Sequence, residues 1–327
     1  MEIAVTGATG HIGGVLVRAL IQRGDRVRAL VHDGDSATLD GLDVERVRGD
    51  VVDGAALDTL FRGKEIVFHL ASRIWLGGWE PPAVARTNID GTLAVLAAAR
   101  RQGVRRVVYF SSIHAIASRE GEEVIDETSP LVDDPRAPIY DRTKSQAQRH
   151  VVTAAANGLD TVIVNPTGVI GPFDYRVSRM GRTFLDLYLG RLPALPASGF
   201  NWVDVRDVVD GALAAAERGV RGEHYLLGGH WHTIRALAGM THAIDGRPPP
   251  RFDTPMWIVR GAGIVAGQFS RALGREGHVT RDSVRALEGH RRISHAKAAE
   301  VLGYRPRPTE DSVRDVVAWF RANGGLP

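Results

Sequence analysis

Short apolar runs rich in β-branched residues recur along the first half of the chain, and amphipathic stretches separate several of them. Runs of this length and composition are typical of buried strands. They lie at EIAVTG (2–7), RVRALV (26–31), VERVRGDV (44–51), EIVFHLAS (65–72), RRVVYFSS (105–112) and DTVIVNPT (160–167). Helical patterns occupy residues 11–23, 83–103 and 140–157. This alternation predicts an α/β fold with a doubly wound, Rossmann-type parallel sheet.

The alternation stops beyond Pro172, where proline- and glycine-rich patches interrupt shorter helical segments. We therefore predict a Rossmann domain over residues 1–171, with 200–229 returning to its sheet as a strand, a helix and a strand. A smaller, discontinuous substrate-binding lobe is expected to comprise 172–199 and 230–305. A C-terminal helix within 306–327 should begin near Thr309 and end at Gly324.

The stretch TGATGHIGG (6–14) contains four glycines and follows the first predicted strand directly. An amphipathic run comes next, which completes a strand–turn–helix unit whose main-chain N–H groups can approach an anion at the helix N-terminus. The anion that this arrangement predicts is the pyrophosphate of a dinucleotide. The alternative is an ordinary glycine-rich turn in a chain with 37 glycines.

The composition of the chain limits the classes of partner that we expect it to bind. The 41 basic and 38 acidic side chains give a net charge of only +3, and no basic block with interleaved aromatic residues indicates nucleic acid. The most apolar later stretch, 255–269, is too short to span a membrane and contains Arg260, so we expect no membrane partner. The absence of cysteine excludes disulfides and thiol nucleophiles and fits a cytoplasmic location.

Two features of the sequence can carry proton chemistry. Tyr140 and Lys144 are four residues apart in a predicted helix, so both should project from one face, where an ammonium group would lower the pKa of the phenol. Ser111 and Ser112 close the strand at 105–112, at the end where open α/β sheets bind ligands. Each feature alone also fits a purely structural role. Tyr140 and Lys144 fit an exposed helix turn, and the two serines fit a strand-end turn or a helix cap.

The segment between Ser112 and Tyr140 is acidic, with seven Asp or Glu residues between positions 120 and 134. Such a cluster is a candidate for binding a metal or a cationic substrate, but we interpret it as a solvated loop above the site. Oxygen-ligand sites need convergent geometry that spacing does not provide. The histidines are scattered and no HExxH spacing occurs, so we predict no metal.

Taken together, the motifs resemble the extended short-chain dehydrogenase/reductases, the NAD-dependent epimerase/dehydratase family, and within them the dihydroflavonol-4-reductase-like branch. The resemblance spans almost the whole chain in the right order. The matching stretches are TGATGHIG (6–13), GDVVD (49–53), VFHLAS (67–72), TNIDGT (87–92), VVYFSS (107–112), DETSP (126–130), YDRTK (140–144), VNPTGVIGP (164–172), WVDVRDVVDGALAAAERG (202–219), HYLLGG (224–229) and AKAAEVLGYRPRP (296–308).

This resemblance implies an NAD(P)-dependent oxidoreductase that interconverts a carbonyl and an alcohol with a Ser112–Tyr140–Lys144 triad. Ser112 would orient the substrate oxygen, Tyr140 would be the acid/base, and Lys144 would hold the nicotinamide ribose while lowering the tyrosine pKa. Asn88 would support the cofactor loop. The cofactor-binding positions implied are Gly7, Thr9, Gly10, His11, Ile12, Gly13, His32, Asp50, Val51, Leu70, Ala71, Ser72, Ser111, Tyr140, Lys144, Pro166, Thr167 and Val169.

The choice between NADP and NAD depends on the end of the second strand, VRALVHDG. The resemblance puts Val31 where an NAD-binding relative carries an acid, and His32 where the dihydroflavonol-reductase branch carries an arginine. Loss of the acid argues against strict use of NAD. Loss of the arginine weakens a 2′-phosphate site, because histidine is only partly protonated near neutral pH, and Asp33 would repel a phosphate if its side chain turned inward. We favour NADP, with NAD as the alternative.

The residues that recognise the substrate are the part of the site that the sequence specifies least. Trp75 and Trp79 are candidates to form the wall of an apolar pocket. His114 is a candidate to contact the substrate, and Met256 and Trp257 are candidates to contact it from the second lobe. Each also has an ordinary core or surface role as its alternative. A tryptophan-bounded pocket suits a small hydrophobic aldehyde, ketone or ring compound, whereas arginines in the second lobe keep an anionic substrate open.

Alternative functions share the scaffold: a nucleotide-sugar epimerase, a 3β-hydroxysteroid dehydrogenase/isomerase, or a non-catalytic NAD(P)-sensing protein. Relatives of the last class commonly lose the tyrosine or the lysine, and this chain keeps both. The helices predicted at 83–103 and 140–157 correspond to the pair through which relatives often form homodimers.

Overall fold

The computed structural model of the 327-residue chain describes residues 1–32, 37–77, 79–117, 124–192, 195–248, 252–272, 280–289 and 292–326. Its centre is a seven-stranded sheet in the order β3-β2-β1-β4-β5-β6-β9, with every neighbouring pair parallel. The strands are β1 Glu2–Thr6, β2 Arg26–Val31, β3 Glu45–Arg48, β4 Ile66–His69, β5 Arg106–Phe110, β6 Thr161–Pro166 and β9 His224–Leu227. The doubly wound sheet predicted from the apolar runs is confirmed.

A second sheet has three strands in the order β10-β8-β7. Its members are β7 Gly168–Ile170, β8 Gly199–Asp204 and β10 His230–Thr233, with β7 parallel and β10 antiparallel to β8. The expectation that both strands of 200–229 return to the main sheet is therefore wrong for β8. Only β9 pairs with the main sheet, through β6, because β8 is already paired on both edges.

Helices cover both faces of the main sheet, as the burial of its central strands on both faces requires. The helices are α1 His11–Gln22, α2 Gly54–Phe61, α3 Pro82–Ala85, α4 Gly91–Arg101, α5 Ile139–Ala156, α6 Arg179–Tyr188, α7 Val205–Arg218, α8 Ile234–Ile244, α9 Met256–Ala272, α10 Arg281–Glu288, α11 Ala296–Leu302 and α12 Thr309–Ala322. A π-helical turn, Arg86–Asp90, joins α3 to α4, and a 3₁₀ turn, Ile113–Ala115, follows β5.

The hydrophobic core divides into layers that match the sheets. Residues of α1 and α7 pack on one face of the main sheet, and residues of α2, α4 and α5 pack on the other. A third cluster, around Phe184, Trp202 and Phe320, fills the space between the small sheet and helices α6, α8 and α12. Parallel pairing places the carboxyl ends of β1, β4, β5 and β6 at one edge of the main sheet, and the candidate site lies at this edge.

Candidate active site

The glycine loop between β1 and α1 contains two glycines that internal packing requires, Gly7 and Gly13, and one that it does not require, Gly10. Gly7 has a left-handed backbone (φ 71°), and a Cβ there would lie 2.6 Å from the amide nitrogen of Ala71. A Cβ on Gly13 would lie 2.1 Å from the carbonyl oxygen of Gly7. Gly10 is exposed, and its Cβ would meet nothing closer than 3.4 Å. Its lack of a side chain therefore leaves space open in front of the helix instead of serving internal packing.

Gly10 is also the N-cap of α1, and it offers no side-chain acceptor to the first-turn N–H groups. The first turn of α1 contains no acidic residue, so nothing in it opposes an incoming anion. His11 and Thr9 are engaged with the protein. The Nε2 of His11 is 2.9 Å from the carbonyl oxygen of Pro172, and the carbonyl oxygen of Thr9 accepts a hydrogen bond from Thr38 at 3.0 Å. Ile12 packs against the core. This helix terminus fits a pyrophosphate group.

A buried asparagine holds the segment that follows β4. The Oδ1 of Asn88 accepts hydrogen bonds from the Ser72 hydroxyl at 3.0 Å and from the Arg73 amide at 2.7 Å. Its Nδ2 donates to the carbonyl oxygen of Arg73 and to Thr143 Oγ1, both at 3.0 Å. Asn88 therefore fixes the backbone after β4 relative to α5, and it lies in the π-helical turn, a distortion common near functional sites.

The same loop is attached to β1. The Leu70 amide donates to the carbonyl oxygen of Thr6 at 3.1 Å, and the Ala71 amide donates to the Thr6 hydroxyl at 3.2 Å. His69 is buried between Thr6 and Thr92, with ring nitrogens 2.7 Å and 3.1 Å from their hydroxyl oxygens. Burial lowers the pKa of His69 to about 3, so the imidazole is neutral and serves as a rigid bridge beneath the loop.

Three of the implied cofactor-binding positions lie in different environments. His32 follows β2 and is exposed, and Asp33 lies outside the described residues. Asp50 is partly exposed, with Oδ2 3.8 Å from the guanidinium of Arg86. Val51 is buried against Gly91, where a Cβ would be 2.6 Å from Val51 Cγ1, so its side chain serves the core and only its backbone is available to a ligand.

The proposed catalytic side chains meet where β5 ends and α5 begins. Ser112 lies just past β5, and Tyr140 and Lys144 lie one turn apart on the same buried face of α5. The Ser112 hydroxyl lies close enough to the Tyr140 phenol to lower its pKa. The backbone of Ser112 is held by Asn165, whose Nδ2 donates to the Ser112 carbonyl oxygen at 2.9 Å. The sequence analysis did not single out Asn165, although it stands inside the VNPT stretch.

The proton chemistry differs from the sequence-based expectation. Burial raises the pKa of Tyr140 to about 12, a larger effect than that of the neighbouring Ser112 hydroxyl, which lowers it. Burial also lowers the pKa of Lys144 to about 7. The side-chain nitrogen of Lys144 donates to the carbonyl oxygen of Phe110 at 2.6 Å and lies 4.7 Å from the ring centre of Tyr109. The prediction of a lowered tyrosine pKa is therefore wrong for this structure, because desolvation dominates and Lys144 is not among the groups that lower the tyrosine pKa.

His114 stands beside Tyr140, with ring centres 5.7 Å apart in an edge-on arrangement. Its backbone amide donates to the Ser112 hydroxyl at 3.2 Å. Its Nδ1 lies 3.2 Å from Oδ1 of Asp141, the residue next to Tyr140, and both side chains are partly exposed. Asp141 escaped the sequence analysis, although its place in the YDRTK motif was a signal that could have identified it.

Four further cofactor-binding positions implied by the resemblance cluster around the end of β6. Ser111 is buried, and its amide donates to the carbonyl oxygen of Val164 at 2.8 Å. Pro166 closes β6, and the Thr167 hydroxyl donates to Oδ1 of Asn201 at 2.9 Å. Val169 lies opposite Val203 in the small sheet. The loop from β6 to β7 thus connects the two sheets.

Trp75 and Trp79, the candidates to wall an apolar pocket, pack against each other with ring centres 5.1 Å apart. Trp75 is buried with Val84 and Ile139, and its indole N–H donates to the carbonyl oxygen of Trp79 at 2.7 Å. Trp75 therefore supports the start of α5 from within the core. Trp257 is 73 % exposed on α9. We infer no substrate contact for Trp75 or Trp257 from these positions.

Residues 118–123 of the acidic segment lie outside the described residues. Beyond them, Asp126 and Asp134 close turns through the amides of Thr128 and Arg136, and Glu127 accepts a hydrogen bond from the Leu226 amide at 2.8 Å. Within the described part of the chain, no group of three His, Asp or Glu side chains is arranged to hold a metal ion. No helix among the described residues has the length and apolar character needed to cross a membrane.

Comparison with known proteins gives consistent results. Residues 3–228 match the model of the NAD dependent epimerase/dehydratase family. The chain is 36% identical to the sterol demethylase protein B of Methylococcus capsulatus, with 99% of each chain covered. It is 33% identical to a putative dihydroflavonol 4-reductase of Synechocystis, with 98% of this chain and 94% of the relative covered. The crystal structure of gox2253 superposes with a TM-score of 0.87 at 34% identity, over 100% of this chain and 99% of that one.

Proposed function

Because this chain belongs to the NAD-dependent epimerase/dehydratase family, we propose that it is an NAD(P)-dependent reductase that interconverts a carbonyl and an alcohol on a hydrophobic substrate. The observation that carries the proposal is the juxtaposition of Ser112 and Tyr140 at the carboxyl end of β5, where the Ser112 hydroxyl acts to lower the pKa of the phenol. This pair shares one edge of the sheet with the open helix terminus at Gly10.

Tyr140 is proposed as the acid that gives a proton to the substrate oxygen during reduction. Its pKa of about 12 keeps the phenol protonated at neutral pH, which is the form that a proton donor requires. Ser112 is proposed to donate a hydrogen bond to the same oxygen and to stabilise the negative charge that develops on it. Asn165 and the His114 amide position Ser112 through its carbonyl oxygen and its hydroxyl.

The glycine loop and the loop after β4 are proposed to hold the dinucleotide. The α1 N-terminus would bind the pyrophosphate, the backbone of Leu70 to Ser72 the adjoining ribose, and the segment Pro166 to Val169 the nicotinamide amide. When bound, the nicotinamide supplies or accepts the hydride. Lys144 is proposed to hold the nicotinamide ribose hydroxyls, which requires its nitrogen to share or give up the hydrogen bond to Phe110.

NADP is proposed as the preferred cofactor. Val31 ends β2 as a buried apolar residue, so its side chain provides no carboxylate for the ribose hydroxyls. The next side chain, His32, is exposed at the place where a 2′-phosphate would be accommodated. A protonated imidazole would favour the phosphate.

A hydrophobic ring compound is the substrate class that we propose. The two relatives described above are named for a sterol and for a dihydroflavonol, both of which are oxygenated ring compounds. His114, held beside Tyr140 by Asp141, is proposed to contact the substrate near its reacting oxygen.

A homodimer is proposed through α4 and α5. These helices pack against each other, and each leaves an apolar side chain exposed, Leu93 on α4 and Val152 on α5. Leu93→Asp should shift the molar mass measured by light scattering from dimer to monomer. A wild-type mass equal to one chain would contradict this part of the proposal.

The reaction is tested with purified protein, NADPH and a series of hydrophobic ketones and aldehydes, by following oxidation of the nicotinamide. Tyr140→Phe should lower kcat by about a hundredfold or more, because the proton donor is lost, while NADPH still binds. Substantial turnover by this variant would place the acid elsewhere. NAD released from denatured wild-type protein would favour epimerase chemistry.

A further inference from the structure

Helix α9 exposes a stripe of apolar side chains on its surface. Thirteen large hydrophobic side chains are exposed in the described part of the chain, and five of them lie within residues 252–265. The three most exposed are among these five: Phe252 at 83 %, Trp257 at 73 % and Val265 at 72 %. A concentration of this kind marks a contact surface, whereas scattered single residues do not.

The stripe follows the geometry of the helix. Trp257 and Ile264 are seven residues apart, as are Ile258 and Val265, so the four side chains share one side of α9 over about two turns. Val259 and Gly263 lie on the opposite side and are buried. A Cβ on Gly263 would lie 2.9 Å from Val284 of α10, so α9 packs on α10 with one side and leaves the apolar stripe uncovered by the described residues.

The charge of the surrounding segment favours an anionic partner. Residues 247–281 contain six arginines and two acidic residues, a net charge of +4 in a chain whose total is +3. An isologous contact between two copies would bring these like-charged segments together, which is unfavourable. An anionic bilayer has an apolar interior beneath a negatively charged surface. The exposed tryptophan and aliphatic side chains of α9 complement the apolar interior, and the arginines of the segment complement the negative charge.

Helix α9 is connected to the catalytic side chains through α10 and Trp75. Thr280, the N-cap of α10, is buried and donates a hydrogen bond to the carbonyl oxygen of Leu76. The neighbouring Trp75 packs on Ile139, the residue before Tyr140. Helices α9 and α10 are therefore attached to the segment that supports the start of α5.

We propose that α9 is an interfacial helix, which lays Trp257, Ile258, Ile264 and Val265 into the surface of an anionic bilayer. The contact is peripheral, since α9 has 17 residues and includes Arg260. It revises the expectation from composition that the protein has no membrane partner. It does not depend on the proposed reaction, although it would bring the catalytic cleft to a water-insoluble substrate.

The test is co-sedimentation of the full-length protein with vesicles of phosphatidylcholine containing one quarter phosphatidylglycerol, compared with vesicles of phosphatidylcholine alone. Wild type should bind the anionic vesicles more tightly, and added salt should weaken this binding. The double variant Trp257→Ser/Val265→Ser should lower the partition coefficient by about tenfold or more. Both side chains are exposed, so the fold should tolerate the change, and a circular dichroism melt checks this.

Val220→Ser is the matched control, because Val220 is 55 % exposed but lies outside the stripe. This control should bind vesicles as wild type does. Three results would overturn the proposal: no binding of wild type to anionic vesicles, equal binding by the double variant, or a change of molar mass in the double variant without any vesicle binding. The last result would make the stripe a self-association surface.

Discussion

The side-chain nitrogen of Lys144 donates a hydrogen bond to the carbonyl oxygen of Phe110 at 2.6 Å, inside the protein and away from solvent. Burial brings the pKa of this lysine to about 7, whereas that of Tyr140 is raised to about 12. Burial therefore favours the neutral amine of the lysine, whereas the tyrosine holds its proton near neutral pH. Burial of a cationic group without a carboxylate partner is a cost to the fold.

That cost predicts a stability effect with a defined sign. Between pH 7 and 10.5 the unfolded chain holds a proton on Lys144 that the folded chain lacks, so the lysine's contribution to the free energy of unfolding rises with pH in this window. Lys144→Met removes the buried charge. It should raise the free energy of unfolding at pH 7 by about 1–3 kcal/mol, by less at pH 10, and should lower turnover.

Urea denaturation at both pH values checks this prediction. Lys297→Met serves as the control, because Lys297 is a partly exposed lysine that pairs with Glu223 and is remote from the site. Equal destabilisation of Lys144→Met at pH 7 and pH 10 would show that burial of the charge costs nothing here.

The sheet and its ligand-binding edge could be predicted from the sequence because parallel strands buried on both faces appear as continuous apolar runs. The runs at 26–31 and 105–112 correspond to β2 and β5 within one or two residues. Strand β8 was placed in the wrong sheet, since its apolar pattern does not specify which strand it pairs with. Strand pairing is a long-range property that the local pattern leaves open.

The site was predictable in its positions but not in its electrostatics. The i, i+4 spacing placed Tyr140 and Lys144 on one face of α5 correctly. It could not show that the lysine points to the Phe110 carbonyl, or that desolvation would dominate the pKa of both groups. The role of Trp75 was also hidden, because a tryptophan after a strand fits a core position as well as a pocket wall.

The contrast between two glycines of the loop provides a test of cofactor binding that separates binding from folding. Gly10→Val should leave the melting temperature within a few degrees of wild type, because the space around Gly10 is open. It should weaken NADPH binding by about tenfold or more, which corresponds to ~1.4 kcal/mol, since the new side chain occupies the approach to the α1 N-terminus.

Gly13→Ala is the matched comparison, because its Cβ would lie 2.1 Å from the Gly7 carbonyl oxygen. This variant should melt at a lower temperature. Isothermal titration and thermal melts of both variants give the two readouts. Unchanged NADPH affinity in folded Gly10→Val protein would remove the glycine loop from the proposed cofactor site.

The exposed position of His32 after β2 gives the last prediction. His32→Arg replaces a side chain that is partly protonated near neutral pH with one that is always charged, and a guanidinium can bind a phosphate with two hydrogen bonds. The variant should increase the affinity for NADPH relative to NADH by about three- to tenfold, and raised ionic strength should reduce this gain. His230→Arg, also at an exposed histidine but on the small sheet, should leave the ratio unchanged. A constant NADPH-to-NADH ratio in His32→Arg would show that this position does not face the 2′-phosphate, and the proposed preference for NADP would lose its structural basis.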